Sequence, residues 1–312
     1  MKKTDLACLT ALAALWGASY PFMRVCAGEF GAMTLAGARA AIAAVLLMPL
    51  LATARDGGLR ALRRHWKPVL LVGVTNSALP FVLFALAALG INASLSAIFN
   101  AATPLYAAVI GRVWLGEAIV RVRAAGLALG FCGVLWLVAE GASFKPGASA
   151  VATGWAVLAC VAATMLYAFS AHFSKRYLAA VPPLAVAAGS QLSAALVLAP
   201  AALALHPHAL PSARAWAALL CLGVGCTALA YVLFFRLIAR VGAAKTMAVP
   251  FLVPAFGVLW GVLFLGETFT AAMAAGSALI VLGTALATGL VNPARRPAPH
   301  PLARPGARPD AH

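Results

Sequence analysis

Charge is what this sequence has least of. One residue in ten is charged, against about a quarter in a soluble domain, and Asp and Glu together number seven in 312 residues. None of the seven (Asp5, Glu29, Asp56, Glu117, Glu140, Glu267, Asp310) falls well inside an apolar run. The buried carboxylate that proton-coupled carriers often use as a protonation switch is therefore not visible. The six cysteines, Cys8, Cys26, Cys132, Cys160, Cys221 and Cys226, are scattered without metal-ligand spacing, so neither a disulfide framework nor a zinc site is expected. Of the histidines, only His172 stands where it could face a cavity. Nucleophile elbow, phosphate-binding glycine loop and metalloprotease helix are all absent. No enzyme and no cofactor is expected.

Apolar residues take up the space. They form 64% of the chain, where a globular protein has about half. They are gathered into runs of about 20 residues, enough at ~1.5 Å per residue to cross a hydrocarbon core of ~30 Å. Ten such runs lie near 4–24, 33–53, 68–89, 93–114, 122–140, 151–172, 183–205, 214–238, 243–265 and 269–290. Lipid offers no hydrogen-bond partners, so each run must satisfy its backbone internally, and the alternating segments of a membrane barrel are missing. The expected fold class is an all-α integral membrane protein with ten transmembrane helices.

The chain also repeats itself. Thr103-Pro104 returns as Val253-Pro254, Leu115-Gly116-Glu117 as Leu265-Gly266-Glu267, Gly126 as Gly276 and Gly133 as Gly283, all at one offset. Upstream, Gly73 and Phe81 to Phe84 return as Gly223 and Tyr231 to Phe234, and Leu15 and Ser19 as Leu166 and Ser170 with a slip of one. Two copies of one unit are expected, at 4–140 and 151–290. Five helices per copy is an odd number, so the second copy enters the membrane from the opposite side. Inverted repeats related by an axis in the membrane plane are the physical basis of alternating access around a midplane site.

The formal charge of +16 raises nucleic acid as a partner, and its placement answers the question. With the N-terminus inside, nineteen Lys and Arg fall on the cytoplasmic side, from Lys2 and Lys3 through Arg63, Arg123, Lys175 and Arg240 to Arg308. Arg24, Lys145 and Arg214 fall on the other side, and Arg39 lies inside a span. This is the positive-inside pattern for an inner-membrane protein with both termini cytoplasmic. The basic charge is topological, and no loop is long enough to form a nucleic-acid surface. The partners expected are the lipid bilayer and a small-molecule substrate; no residue pattern specifies a coupling ion or an oligomer.

Met1-Lys2-Lys3 followed by an apolar run resembles a secretory leader. The run continues past Tyr20, however, and its residues recur in the sixth span, which favours a first transmembrane helix. Residues 291–312, rich in Pro and Arg with little to bury, are expected to be a disordered cytoplasmic tail.

Pro104 to Glu117 and Pro254 to Glu267, each followed by a glycine-bearing helix, resemble the two EamA-type domains of the drug/metabolite transporter superfamily. Leu15-Trp16-Gly17-Ala18-Ser19 resembles that family's first-helix pattern. The resemblance covers 4–290 and implies a ten-helix inner-membrane carrier, often an exporter of amino acids or related metabolites. It departs at Tyr167-Ala168, where the first copy has Trp16-Gly17. The membrane-embedded Glu of the small multidrug relatives has no counterpart.

Site residues follow from physical position. Pro104 and Pro254 lie near mid-span, where a missing N–H bends a helix, and Pro250 stands beside them. Paired breaks in both copies point to a transporter's site. Around them stand Asn100, Thr103, Tyr106 and Met247. Trp16, Ser19, Tyr20, Asn76, Phe81, Tyr167, Gln191 and Tyr231 lie at similar depth. Any of the polar ones could instead join helices. Arg39 is either a contact for a substrate carboxylate or phosphate, or has an interfacial or helix-pairing role, being shallow enough to snorkel toward the outer interface. Gly126 and Gly130, and Gly257 and Gly261, read as packing devices. Glu117 and Glu267 read as structural, accepting from free N–H groups of the next helix.

The function expected is secondary transport of an amino acid or related amphipathic solute. The alternatives are a drug or organic-cation exporter and, from another class, a non-transporting membrane sensor or assembly factor. The topology has a direct test: green fluorescent protein fused after His312 should fluoresce, and alkaline phosphatase at the same point should be inactive. Active phosphatase there would invert the assigned orientation.

Overall fold

The computed structural model describes residues 2–54, 56–140, 150–242, 246 and 249–288. Met247 and the expected tail lie outside them. Ten apolar helices follow one another: α1 Lys3–Phe30, α2 Ala32–Thr53, α3 Trp66–Gly90, α4 Ala93–Leu115, α5 Arg121–Glu140, α6 Ala150–Tyr177, α7 Pro183–Ala204, α8 Ala213–Val241, α9 Val249–Leu265 and α10 Ala271–Thr288. Nine of these are long and apolar enough to cross a membrane, and the described part of α9 is a shorter apolar helix. A short basic helix, Gly58–Arg64, occupies the connection between α2 and α3. Large side chains such as Val113 and Leu203, 81% and 75% exposed, clothe the outside, where acyl chains are the compatible neighbours. The chain is an all-α, multi-pass membrane protein.

The outermost pair, α5 and α10, displays the inversion. A Cβ added at Gly126 would lie 2.7 Å from the Gly283 carbonyl oxygen, and one added at Gly133 would lie 2.9 Å from that of Gly276. Gly126 and Gly276 are repeat counterparts, as are Gly133 and Gly283, so the two contacts exchange under a two-fold operation. Low residue numbers on one helix meet high numbers on the other, so the counterpart helices run antiparallel. Only glycine allows the backbones this close, and without a hydrophobic driving force between helices in lipid such contact is what holds them.

Three departures from regular helix matter for the interior. Val74–Ala78 in α3 and Cys221–Leu229 in α8 are π-helical, at matching places in the two copies. A π segment widens one turn and re-aims its side chains, commonly at functional sites. The third is in α4, which stops at Asn100, turns through Ala101 and Ala102 and restarts at Thr103. There Pro104 occupies the first turn, where its missing N–H removes no helix bond. The Thr103 hydroxyl closes the break by donating to the Asn100 carbonyl at 2.7 Å.

At Pro254 itself the structure differs from the expected break, because the described part of α9 continues through it. Its ring forfeits the bond to the carbonyl of residue 250 within that helix. Pro250 lies in the same described stretch.

Gly283→Leu should overpack the α5/α10 contact and destabilise the folded protein by about 1–3 kcal/mol or more. Gly154→Ala, at a glycine with open space around it, should be neutral or slightly stabilising. Thermal unfolding of the two variants in detergent checks the contrast, and equal melting temperatures would contradict the assigned packing.

Candidate substrate site

Arg39 lies on α2 with 7% of its surface exposed. Of the readings open for it, snorkelling to the outer interface is excluded: it points into the bundle, where it also pairs α2 with α8. Its Nε donates to Thr227 Oγ1 of the α8 π segment at 2.9 Å, and its Nη1 approaches Met23 Sδ at 3.7 Å. The guanidinium also stacks over the Phe81 ring, 3.8 Å from the centroid. The phenols of Tyr20, Tyr167 and Tyr231 are within electrostatic reach. All of these partners are neutral. Removing a guanidinium from water costs several kcal/mol, and a charge-assisted hydrogen bond recovers about 1.5–3 and a desolvated cation–π contact about 2. An anion ~4 Å away would contribute about 4 kcal/mol more at an effective dielectric constant near 20.

The second repeat carries the same construction without the charge. Counting from Gly37 and Gly189, Gln191 on α7 is the counterpart of Arg39, and Ser77 on the α3 π segment is the counterpart of Thr227. Gln191 Nε2 donates to Ser77 Oγ at 2.8 Å, mirroring Arg39 on Thr227. Tyr231, the counterpart of Phe81, accepts from Asn76 Nδ2 at 3.2 Å and lies beside Gln191 and Ser77. The aromatic walls are paired too: Trp16 packs on Phe234 at 5.3 Å, and its counterpart Tyr167 on Phe84 at 6.1 Å. Tyr20 adjoins Phe84 edge-on at 5.6 Å and lies beside Asn100.

Buried polar groups are normally satisfied. Among the described side chains four buried atoms lack a partner, and two, Ser19 Oγ and Gln191 Oε1, belong to this centre or its immediate surroundings. Ser19 and Ser170 are repeat counterparts; Cys226 lies beside Ser19 without reaching hydrogen-bond geometry. Two grooves on the outside of the bundle, among the described residues, are apolar. The larger, between α3 and α6, is lined by Leu83, Leu86, Leu89, Trp155 and other apolar residues, as suits acyl chains.

Residues 5–139 and again 154–289 match the EamA-like transporter family. The chain belongs to that family. It is 27% identical over 295 residues to an uncharacterized transporter, YvbV, of Bacillus subtilis, covering 92% of each protein. It is 26% identical over 272 residues to a protein of Streptantibioticus cattleyicolor named as a probable terminal-alkyne amino-acid exporter, covering 87% of this chain and 89% of that one. A crystal structure shares the fold at 21% identity with a TM-score of 0.64, over 93% of this chain and 99% of that chain.

Within this EamA protein most of the expected site residues meet: Tyr20, Arg39, Asn76, Phe81, Asn100, Tyr167, Gln191 and Tyr231 are linked through the contacts above, Trp16 joins Tyr231 through Phe234 and Phe235, and Ser19 is on their margin. Thr103 is engaged in closing the α4 break. Tyr106 turns its ring edge-on to Phe131 of α5 at 5.5 Å. Ser77, Thr227 and Met23 were missed. The signal for the first two was their recurrence at one offset as hydroxyls in otherwise apolar helices.

The two Leu-Gly-Glu turns, identical in sequence, behave differently. Gly116 and Gly266 both take left-handed φ, 67° and 63°, and both turns are closed by the Glu N–H on a glycine carbonyl, Gly111 or Gly261, at 3.1 Å. Glu267 is then buried and accepts from Ala93 N, Ser94 N and Ser94 Oγ at 2.8, 2.9 and 2.6 Å. Arg24 Nε stands 3.7 Å away. The helix it caps is α4 of the other repeat rather than the next helix α10, because the glycine turn folds the carboxylate back into the bundle. Glu117 and Lys175, the counterparts of Glu267 and Arg24, are exposed. One end of the bundle is clamped and the described residues of the other are not.

Glu267→Ala should leave the α4 N–H groups without their acceptor and cost about 2–4 kcal/mol. Glu117→Ala should lie within about 0.5 kcal/mol of the unaltered protein. Melting temperatures in detergent would show the difference, and equal losses would remove the clamp.

Proposed function

We propose that this EamA protein is a secondary transporter of the inner membrane that exports a small metabolite, an amino acid or related amphipathic solute, by alternating access. The observation that carries this reading is the meeting of counterpart residues from both repeats at one buried polar centre, Arg39 on Thr227 and Gln191 on Ser77. Two inverted copies that each contribute half of a midplane site can exchange shapes and so expose it to either side in turn. The relative named as an amino-acid exporter supports the solute class.

The unequal ends support the mechanism. With the termini cytoplasmic, the Glu267 clamp closes the outer end, and its counterpart Glu117 stands free at the inner end. Exchange of conformations between the repeats would release Glu267 from α4 and engage Glu117 inside.

Paired aromatic walls favour one competing reading, export of an organic cation, since ring faces attract cations. Arg39 opposes it, because a fixed positive charge at the centre repels such a solute. A sensor or assembly factor would bind without exchange.

Counter-flow in vesicles separates the three: saturable uptake of labelled amino acids driven by unlabelled amino acid inside is expected. Exchange confined to organic cations would favour the competing reading, and binding without any exchange would leave a sensor. Pro104→Ala should allow α4 to run straight, slowing exchange about tenfold, ~1.4 kcal/mol in barrier, without lowering the amount of inserted protein. An unchanged rate would detach the α4 break from transport.

A further inference from the structure

Resting on the transporter reading, we infer that the site is polar in one direction: Arg39 takes a carboxylate, Gln191 faces the uncharged or ammonium end, and solutes without a carboxylate are refused. The direction arises at a single pair of counterpart positions. Arg39 and Gln191 make matching hydrogen bonds to matching hydroxyls, so a two-fold site would treat both ends of a solute alike. The guanidinium breaks that equivalence.

The charge has no partner of its own. Ion pairs among the described residues join Arg24 to Glu267 and Arg240 to Asp5, and neither reaches Arg39. Described carboxylates lie at helix ends: Asp5 on Lys2 N, Glu29 on Ser212, Asp56 on Gly58 N, Glu267 on α4, with Glu117 exposed. A solute carboxylate would complete the pairing, and the tyrosine hydroxyls around Arg39 are O–H donors that can turn toward its oxygens.

At the other pole Gln191 Oε1 is buried without a donor. It can accept from an ammonium, yet a neutral acceptor is weaker than a full opposite charge. The ammonium therefore strengthens binding without being required. Among the described residues no second cation meets this centre to receive another carboxylate, so the class is monocarboxylates, zwitterionic or anionic, with an apolar remainder for the aromatic walls.

The test uses two series matched in shape: L-phenylalanine, 3-phenylpropanoate and 2-phenylethylamine, and L-norvaline, pentanoate and butylamine. Binding to the purified full-length protein is measured by calorimetry at pH 7. In at least one series the amino acid and the deaminated acid should bind within tenfold of each other, and the amine about 30-fold or more weaker. Arg39→Gln should weaken the acid by about 30-fold or more, and Arg39→Lys should restore part of it. Gln191→Leu should weaken the amino acid several-fold and leave the deaminated acid unchanged. An amine that binds as well as the acid, acid binding unaltered in a folded Arg39→Gln variant, or no binding by any carboxylate of either series would overturn the assignment. The comparison within the unaltered protein stands even if the Arg39 variants misfold. Exchange of an amine by counter-flow would overturn the carboxylate assignment and leave the transporter reading in place; absence of exchange by every solute that binds would remove the transporter reading itself.

Discussion

A hydrocarbon layer hydrogen-bonds nothing, and every structured part of this protein answers to that constraint. Backbone groups are satisfied inside helices. Where a helix begins below the surface, as α4 does at Ala93, a carboxylate from elsewhere in the chain must supply the missing acceptor, and Glu267 does so. Where helices must associate without water to drive them together, glycine lets backbones touch, as Gly126 does against Gly283. A polar group left at the centre is then an exception that calls for a physical reason.

Among the described residues two such exceptions stand together. Arg39 without an anion and Gln191 Oε1 without a donor lie where the two repeats meet, with the unpartnered Ser19 hydroxyl beside Cys226 at their margin. Each could be removed by an apolar substitution if the bundle only needed to be stable. Their joint presence is explained by a solute that arrives with the complementary groups and leaves again, so the cost of desolvation is shared with the cargo instead of being met by a permanent partner.

Duplication explains how such a centre is built and how it is made directional. Copying a five-helix unit and inverting it makes each wall contact recur between the counterpart residues, hence Trp16 on Phe234 and Tyr167 on Phe84. Divergence then needs few changes. Arginine in one copy and glutamine in the other turn a symmetric centre into one with a charged and an uncharged pole. At the bundle's ends the same symmetry is broken by conformation: identical Leu-Gly-Glu turns place Glu267 in a clamp and leave Glu117 exposed.

Ten helices, two copies, the glycine seams and Arg39 as an exceptional residue were legible in the sequence, because hydropathy, repetition and residue rarity are local properties of a chain in lipid. Depth and partnership were not. Whether Arg39 reaches the surface or Thr227 depends on a π segment in a helix nearly two hundred residues away, and nothing in Cys221–Leu229 marks that turn as widened. The equivalence of Arg39 and Gln191 was hidden because their side chains differ, and it emerged only when both were found making the same bond. Pro104 and Pro254 read alike, yet one follows a break and the other sits in a continuous helix, since a proline's effect depends on which carbonyl it leaves unpaired and on what packs beside it. Sequence determined what could cross the membrane; tertiary structure decided which polar groups would be left facing one another inside it, because that depends on contacts between segments that are distant in the chain.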